Sequence, residues 1–272
     1  ARLADALFFY DNDKNKIDKF GMNCFYEELK KVRFHEKLGS QYDRVNRISE
    51  IAVEMAKFFG EDSKLVSEAA TLIKADLVSE MVTEFPILQG VMGSKYSILD
   101  GYPIEIANAI REHYSPIGPN DRVPTSNVSI ILAISEKLEY LTAFWSIGIK
   151  PTGSKDPFAL RRASLGIIRI IIENRLKLNL DDLISLSMHK IEKDDLLSFF
   201  RERVVHYLVD QGYEKSVTLS VVYADNLESL YFFPTLVKNI EKYITSPEGA
   251  RILAMNKRAS NILNGFTDNI NN

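Results

Sequence analysis

Apolar residues recur every three or four positions along most of this chain, with charged residues between them. From Tyr42 onward, Val45, Ile48, Ala52, Met55 and Phe59 form one stripe, while Asp43, Arg44, Arg47, Glu50 and Lys57 fall mostly between its members. That spacing predicts an amphipathic helix. Leu3, Leu7 and Tyr10 follow the same rule from the first residues, so a helix without a leading cap is expected there, as in a piece cut from a longer chain. Asp62-Ser63 caps a further predicted helix whose inward face holds Leu65, Ala69, Leu72, Ile73, Leu77 and Met81, ending before Pro86. Residues 85–93 are apolar but contain a proline and two glycines, and read as a packed connector.

A short helix is expected from Pro103 to about His113, followed by an exposed loop over Tyr114–Asp121, where nearly every residue favours a turn. Thr125-Ser126 caps a long apolar helix through Ile130, Ile134, Leu138 and Leu141 towards Trp145, stopped by Gly148. Asp156-Pro157 supplies an N-cap with proline at the first helical position, opening a helix through Leu160, Leu165, Ile168 and Ile172 to about Asn174. Three more helical patterns centre on Phe199–Leu208, Leu227–Tyr243 and Pro247–Leu263, and the asparagine-rich tail from Gly265 is expected to fray. The predicted fold class is all-α.

Composition agrees with helices. Thirteen glycines and nine prolines in 272 residues are too few for a many-turned β sandwich, and 46% hydrophobic content supports a real core. A single cysteine excludes a disulfide scaffold, and Cys24, without a CxxC partner, reads as an ordinary thiol. No stretch approaches the roughly 20 uninterrupted apolar residues of a membrane span, so an intracellular, cytoplasmic protein is expected. The net charge of −3 means that a nucleic-acid partner requires cations concentrated on one face.

Such a concentration exists between Gly148 and Ala163. Lys150 and Lys155 lie in a Gly/Ser/Thr loop that runs into a helix start, and Arg161 and Arg162 follow within about a turn and a half. Loop amides, a helix N-terminus and cationic side chains together make an anion site, which a phosphate backbone fits. The structural alternative has Asp156 capping the helix or pairing with an arginine, while the lysines are merely solvated. Arg169, Arg175 and Lys177 extend the basic character. Arg251, Lys257 and Arg258 form a second cluster that the helix dipole alone explains. Tyr207, Tyr213, Tyr223, Tyr231 and Tyr243 are able to stack on bases, but at helical spacing such residues more often belong to the core or an amphipathic surface.

Four histidines lie far apart, without an HExxH pair, a CxxC pair or a P-loop. A site built from separate helices has one candidate set, His35, Asp76 and Glu136, whose order resembles that of the metal-dependent HD phosphohydrolases. The set is broken: Ala75 stands where the second histidine would precede the aspartate, and Glu136 replaces a final aspartate. Water activation by metal needs several fixed ligands around an open position, so no metal is assigned, and Asp76 and Glu136 read more simply as surface or capping carboxylates.

Several long motifs together carry a more specific resemblance. The segments ARLADALFFY at 1–10, FHEKLG at 34–39, KADLV at 74–78, EFPILQGVMG at 84–93 and KPTGSKDPFALRR at 150–162 closely resemble the bacterial glycyl-tRNA synthetase β subunit, and Asn256-Lys257-Arg258 with Asn261-Ile262-Leu263 is similar to a later stretch of it. The resemblance runs in order from the first residue to about Leu263. It implies an HD-domain-like helical bundle over residues 1–180, followed over 181–272 by a smaller helical region leading towards an anticodon-binding domain. It also implies partnership with glycine tRNA and an α subunit in an α2β2 tetramer, without membrane or DNA. ATP and Mg would then be used through the α subunit, this segment binding no cofactor and catalysing nothing alone. On this reading the segment binds tRNA, with Lys150, Lys155, Arg161 and Arg162 as backbone contacts. The alternatives are a metal-dependent HD-type nucleotide phosphohydrolase and an assembly surface.

Overall fold

A computed structural model describes the backbone of residues 2–224, 227–228 and 230–270, and the side chains of residues 4–260 among them. In chain order the elements are α1 (Arg2–Phe20), α2 (Asn23–Glu28), a two-stranded hairpin of β1 (Arg33–His35) and β2 (Gly39–Ser40), α3 (Gln41–Phe59), α4 (Ser63–Leu72), α5 (Glu80–Glu84), α6 (Val91–Leu99), α7 (Ile104–Glu112) and α8 (Asn127–Ser146). They continue with α9 (Leu160–Glu173), α10 (Leu180–Ser185), α11 (Lys193–Asp210), α12 (Lys215–Ala224), α13 (Phe233–Ile244) and α14 (Pro247–Ile270). The chain is all-α apart from the small antiparallel hairpin. None of the described helices is long and apolar enough to cross a membrane.

Helix α8 is the axis of the fold. Its sequence is apolar on nearly every face, which suits only a helix surrounded by others, and its residues from Val128 to Trp145 are buried with few exceptions. Helices α3, α4, α7, α9 and α10 pack around it, and α9 passes the core on to α11. One apolar cluster runs from Ile17 through Leu178, Leu180 and Leu196 to Val237. The local signals for these helices work as written in the sequence. Ser40 and Asp43 form a reciprocal capping box on α3, and Gly60 ends it in the left-handed conformation. Asp62 caps α4, and Ser126 caps α8.

Four expectations need correction. The helix predicted from Ser63 past Met81 stops at Leu72, passes through a 3₁₀ turn at Ala75–Val78, and restarts as α5 behind the Ser79 cap. Distant partners make the break: the buried Asp13 carboxylate of α1 accepts from the Glu80 and Met81 amides at 2.8 and 3.0 Å and from the Tyr96 hydroxyl at 2.7 Å. Helix α9 begins at Leu160 rather than at Pro157, because Ala159 takes a left-handed φ of 53° and acts as its N-cap residue. The 114–121 loop is not uniformly exposed, since Pro116 is buried and the Lys137 ammonium draws in the carbonyls before it. In the tail, α14 keeps the backbone helical to Ile270, as a nucleated helix propagates where no proline stops it; Asn271 and Asn272 lie outside the described residues. The short elements α2, β1, β2, α10 and α12 had no periodic signal long enough to detect.

Asp13 is 2% exposed, and removing its side chain leaves three donors without their acceptor. Asp13→Ala is expected to lower unfolding free energy by about 3 kcal/mol in urea titrations, with Asp13→Asn less costly. An Ala variant as stable as the parent would show that this anchor does not hold α1 against α5 and α6.

Candidate nucleic-acid interface

Three charges, Glu136, Lys137 and Glu139, interrupt the otherwise apolar α8, and all three are buried. Burying a charge is costly unless it is paired and hydrogen-bonded, so the surrounding elements supply partners. From α3, Arg44 donates through Nη2 to Glu136 Oε1 at 2.6 Å and through Nε to Glu139 Oε2 at 3.0 Å. Arg47 reaches the other Glu139 oxygen at 2.8 Å. From the break after α4, Lys74 Nζ donates to Glu136 Oε1 at 3.0 Å and lies 3.7 Å from the centre of the Tyr114 ring. The Arg44 guanidinium is flanked by the rings of Phe34 and Tyr140 at 4.5 and 4.9 Å. Lys137 turns away and donates to the carbonyls of His113, Tyr114 and Ser115. Its stem passes so close to α9 that a Cβ on Gly166 would stand 2.7 Å from Lys137 Cε, so a larger residue there would have to displace the end of the lysine side chain.

Opposing forces set the protonation of this cluster. Burial pushes the Glu136 carboxyl up, but Lys74, Arg44 and Lys137 together hold it well below the usual carboxylate range. Burial pulls Lys74 down to about 7, and the positive Arg44 and Lys137 add to that shift against the attraction of Glu136. Lys137 is lowered to about 8, again chiefly by burial.

The three residues of the degenerate metal pattern are not gathered as ligands. The Asp76 carboxylate accepts from the amides of Gly90 and Gly93 at 2.6 and 2.8 Å, and burial raises its pKa to about 6 despite those bonds. Glu136 is taken by two cations. His35, in β1, packs edge-on against Phe144 and Phe158 and accepts from the Lys37 amide through Nδ1. Neither Asp76 nor Glu136 is a surface carboxylate, because both are buried. Among the described residues no group of three His, Cys, Asp or Glu side chains is placed to hold a metal ion.

A cavity of about 660 Å³ opens above the cluster, lined at depth by Arg44, Lys74, Glu136 and Lys137 and at its rim by Phe158, Ala159 and Arg162. Of the basic 148–163 segment, only its end lines this cavity, with Arg162 as its one lining cation. Within that segment Asp156 supplies the helix cap: its two carboxylate oxygens accept from the Leu160 and Arg161 amides at 2.8 and 2.9 Å. Those helix-end amides are thus already satisfied, and attraction for an anion there falls to the side chains. Arg161 donates to the Gly153 carbonyl at 2.7 Å and closes the loop, while Lys150 pairs with Asp195 at 2.5 Å beside Trp145. Lys155 and Arg162 are exposed and, among the described residues, make no ion pair or side-chain hydrogen bond. Arg169 is structural, holding the carbonyls of Gly118 and Asp121 at 2.9 and 2.6 Å. Tyr223 and Tyr243 are exposed, whereas Tyr207, Tyr213 and Tyr231 pack partly against the core. Cys24 is half-buried, and burial pushes its thiol up, as for an unreactive cysteine.

Comparison with known proteins decides the family. The sequence pattern of the family described as glycyl-tRNA synthetase beta subunit matches residues 1–223. This chain belongs to that family. It is 44% identical over 264 residues to a protein of Ruegeria sp. (strain TM1040) named glycine–tRNA ligase beta subunit, covering 97% of this chain and 38% of that protein. Proteins of the same name from Paracoccus denitrificans (strain Pd 1222) and Phenylobacterium zucineum (strain HLK1) are each 43% identical, with the same coverage. The chain thus spans about two fifths of the length of these relatives. Within this β-subunit-family chain, Arg44, Lys74, Lys137 and Glu139 were missed as site residues by periodicity alone. The signal that reveals them is the three charges inside an all-apolar helix.

The Lys74 pKa gives a pH test of the cluster. The unfolded lysine titrates near 10.4 and the folded one near 7, so between these values the unfolded chain binds more protons and stability from this group rises with pH. The stability of the parent relative to Lys74→Met is expected to increase from pH 7 to 10 by up to about 1.4 kcal/mol per pH unit, read by urea unfolding at each pH. A flat difference would show an unperturbed ammonium.

Proposed function

We propose that this chain is a tRNA-binding part of the β subunit of glycine–tRNA ligase, supporting ATP-dependent charging of tRNA with glycine. On this proposal the chemistry, and the use of ATP and Mg, lie in the α subunit, and the two subunits work as an α2β2 assembly in the cytoplasm. The observation that supports the reading is the clustering of Lys150, Lys155, Arg161 and Arg162 in one short segment, with Arg162 at the rim of a cavity lined by further cations, in a chain whose overall charge is −3. Phosphate contacts position an RNA without reading its sequence, which suits lysines and arginines on an exposed loop. Two of the four have their charge free for that purpose. Lys150 and Arg161 already hold the loop in shape, and their ion pair and carbonyl contact are exposed enough to be shared with a phosphate.

The HD-type phosphohydrolase alternative finds no supporting geometry. Its aspartate is not joined by other ligands, one of its oxygens accepting from two backbone amides, and its last carboxylate is neutralised by Arg44 and Lys74.

The test is binding of glycine tRNA by the full α and β assembly over a salt series. Substituting Lys155 and Arg162 by Ala should reduce the magnitude of the slope of log K against log salt by about 1 to 2, since each lost phosphate contact removes a released counterion. Aminoacylation should show a raised KM for tRNA with kcat less affected. Unchanged slope and unchanged KM would overturn these residues as contacts.

A further inference from the structure

We propose that the 660 Å³ cavity is a binding pocket for a 5′-phosphorylated nucleotide, with its phosphate against Arg44 and Lys74 and its base between the apolar lips at the mouth. The volume lies in the range of nucleotide-sized ligand sites and far exceeds what a bare phosphate fills. Ile87 and Ile117 line the mouth although 88% and 54% exposed, an arrangement that wastes apolar surface on water unless a flat apolar group covers it.

The inner end is built for a dianion. Four basic side chains, Arg44, Lys74, Lys137 and Arg162, line the cavity against the single lining carboxylate of Glu136, with Lys74 able to take up its charge on binding, and a phosphomonoester carries about −1.5 to −2 at neutral pH. A phosphodiester, with one charge, matches less well. Arg44 uses Nε and Nη2 on glutamates, and its third nitrogen has no partner among the described residues, leaving one arm of a charge-assisted fork for the ligand. Gln41 Oε1 is an unpartnered buried acceptor on the wall, suited to a ribose hydroxyl or a base amino group. Lys74 faces Arg44 from α3, Asp76 on its own segment, His113 and Tyr114 after α7, and Glu136 and Lys137 on α8. His113 stays neutral, as burial and then Lys74 depress its pKa. An arriving phosphate therefore recharges Lys74, and binding takes up a proton.

The ligand has two sources, a free nucleoside 5′-monophosphate or the 5′-phosphorylated first nucleotide of an RNA strand; the second rests on the tRNA-binding reading. Calorimetry on the full-length β subunit without the α subunit uses AMP, adenosine and inorganic phosphate in two buffers of different ionisation enthalpy at pH 8. AMP is expected to bind at least roughly tenfold more tightly than adenosine or inorganic phosphate, with net proton uptake, and Lys74→Met should reduce the uptake to the share that Lys137 supplies and weaken AMP about tenfold. Arg162→Ala, at the exposed rim, supplies a variant whose folding is not at risk and should weaken AMP several-fold. In parallel, tRNA with a 5′-phosphate is compared with the same tRNA bearing a 5′-hydroxyl. Discrimination by the RNA arm alone assigns the pocket to a strand end, and by AMP alone to a free nucleotide. Phosphate competing as well as AMP, or no dependence on the phosphate in either arm, overturns the pocket. Its failure leaves the salt dependence from Lys155 untouched, so the two readings fall separately.

Discussion

The structure depends on one acceptor, the Glu136 carboxylate buried in α8, which receives both Arg44 and Lys74. An ionised carboxylate in the interior is tolerated only with its partners in place, and those partners come from two different parts of the chain. Arg44 fixes the rotation of α3 against α8. Lys74 requires the chain to leave the helix after Leu72, because only the turn at Ile73–Ala75 carries its ammonium under Tyr114 to Glu136. The same turn delivers Asp76 to the amides of Gly90 and Gly93 and so places the start of α6. A Cβ on Gly93 would stand 2.8 Å from Ile110 Cγ2 and 3.1 Å from Asp76 Cγ, so the close approach of α6 to this carboxylate needs glycine.

Much of this architecture is legible in the sequence because it rests on local signals. The cap residues Ser40, Asp62 and Ser126 and the stop at Gly60 act within one turn of the helix they bound. The apolar run of α8 announced a central helix. What escaped was set by contacts across long sequence distances. Ser79 is a local cap signal for α5, but no propensity in residues 63–85 shows that Asp13, more than sixty residues earlier, also accepts from its first two amides. The start of α9 was misplaced for a related reason. Asp156-Pro157 is a good helix opening, yet the Asp156 side chain reaches forward to Leu160 and Arg161 and fixes the start three residues later.

The site was half legible. The loop lysines and arginines stand out as an accumulation of charge, and of them Arg162 lines the cavity. The buried cations beneath them do not stand out, because Arg44 at helical spacing reads as a solvated face and Lys74 as a polar residue between apolar neighbours. Their burial follows from the charges of α8, which demand counterparts. Exposed charges give affinity screened by salt, whereas buried ones act at short range in a low dielectric.

The fate of the degenerate metal positions follows from the same electrostatics. Carboxylates that hold a divalent ion must keep an oxygen free for it and converge with the other ligands on one point. Here the two amides share Asp76 Oδ2, leaving Oδ1 buried without a partner, but Glu136 Oε1 is already taken by a guanidinium and an ammonium. The positive charge is therefore supplied by side chains of the fold, permanently by Arg44 and in a pH-dependent way by Lys74, and not by an exchangeable ion. Fixed cations of this kind attract anions but provide no metal-bound water to ionise. Substituting Ala75 by histidine would add one ligand without releasing Asp76 or Glu136 from their present donors. That is why restoring the missing residue of the motif does not by itself restore a metal centre, and why the corner is suited to recognising a phosphate.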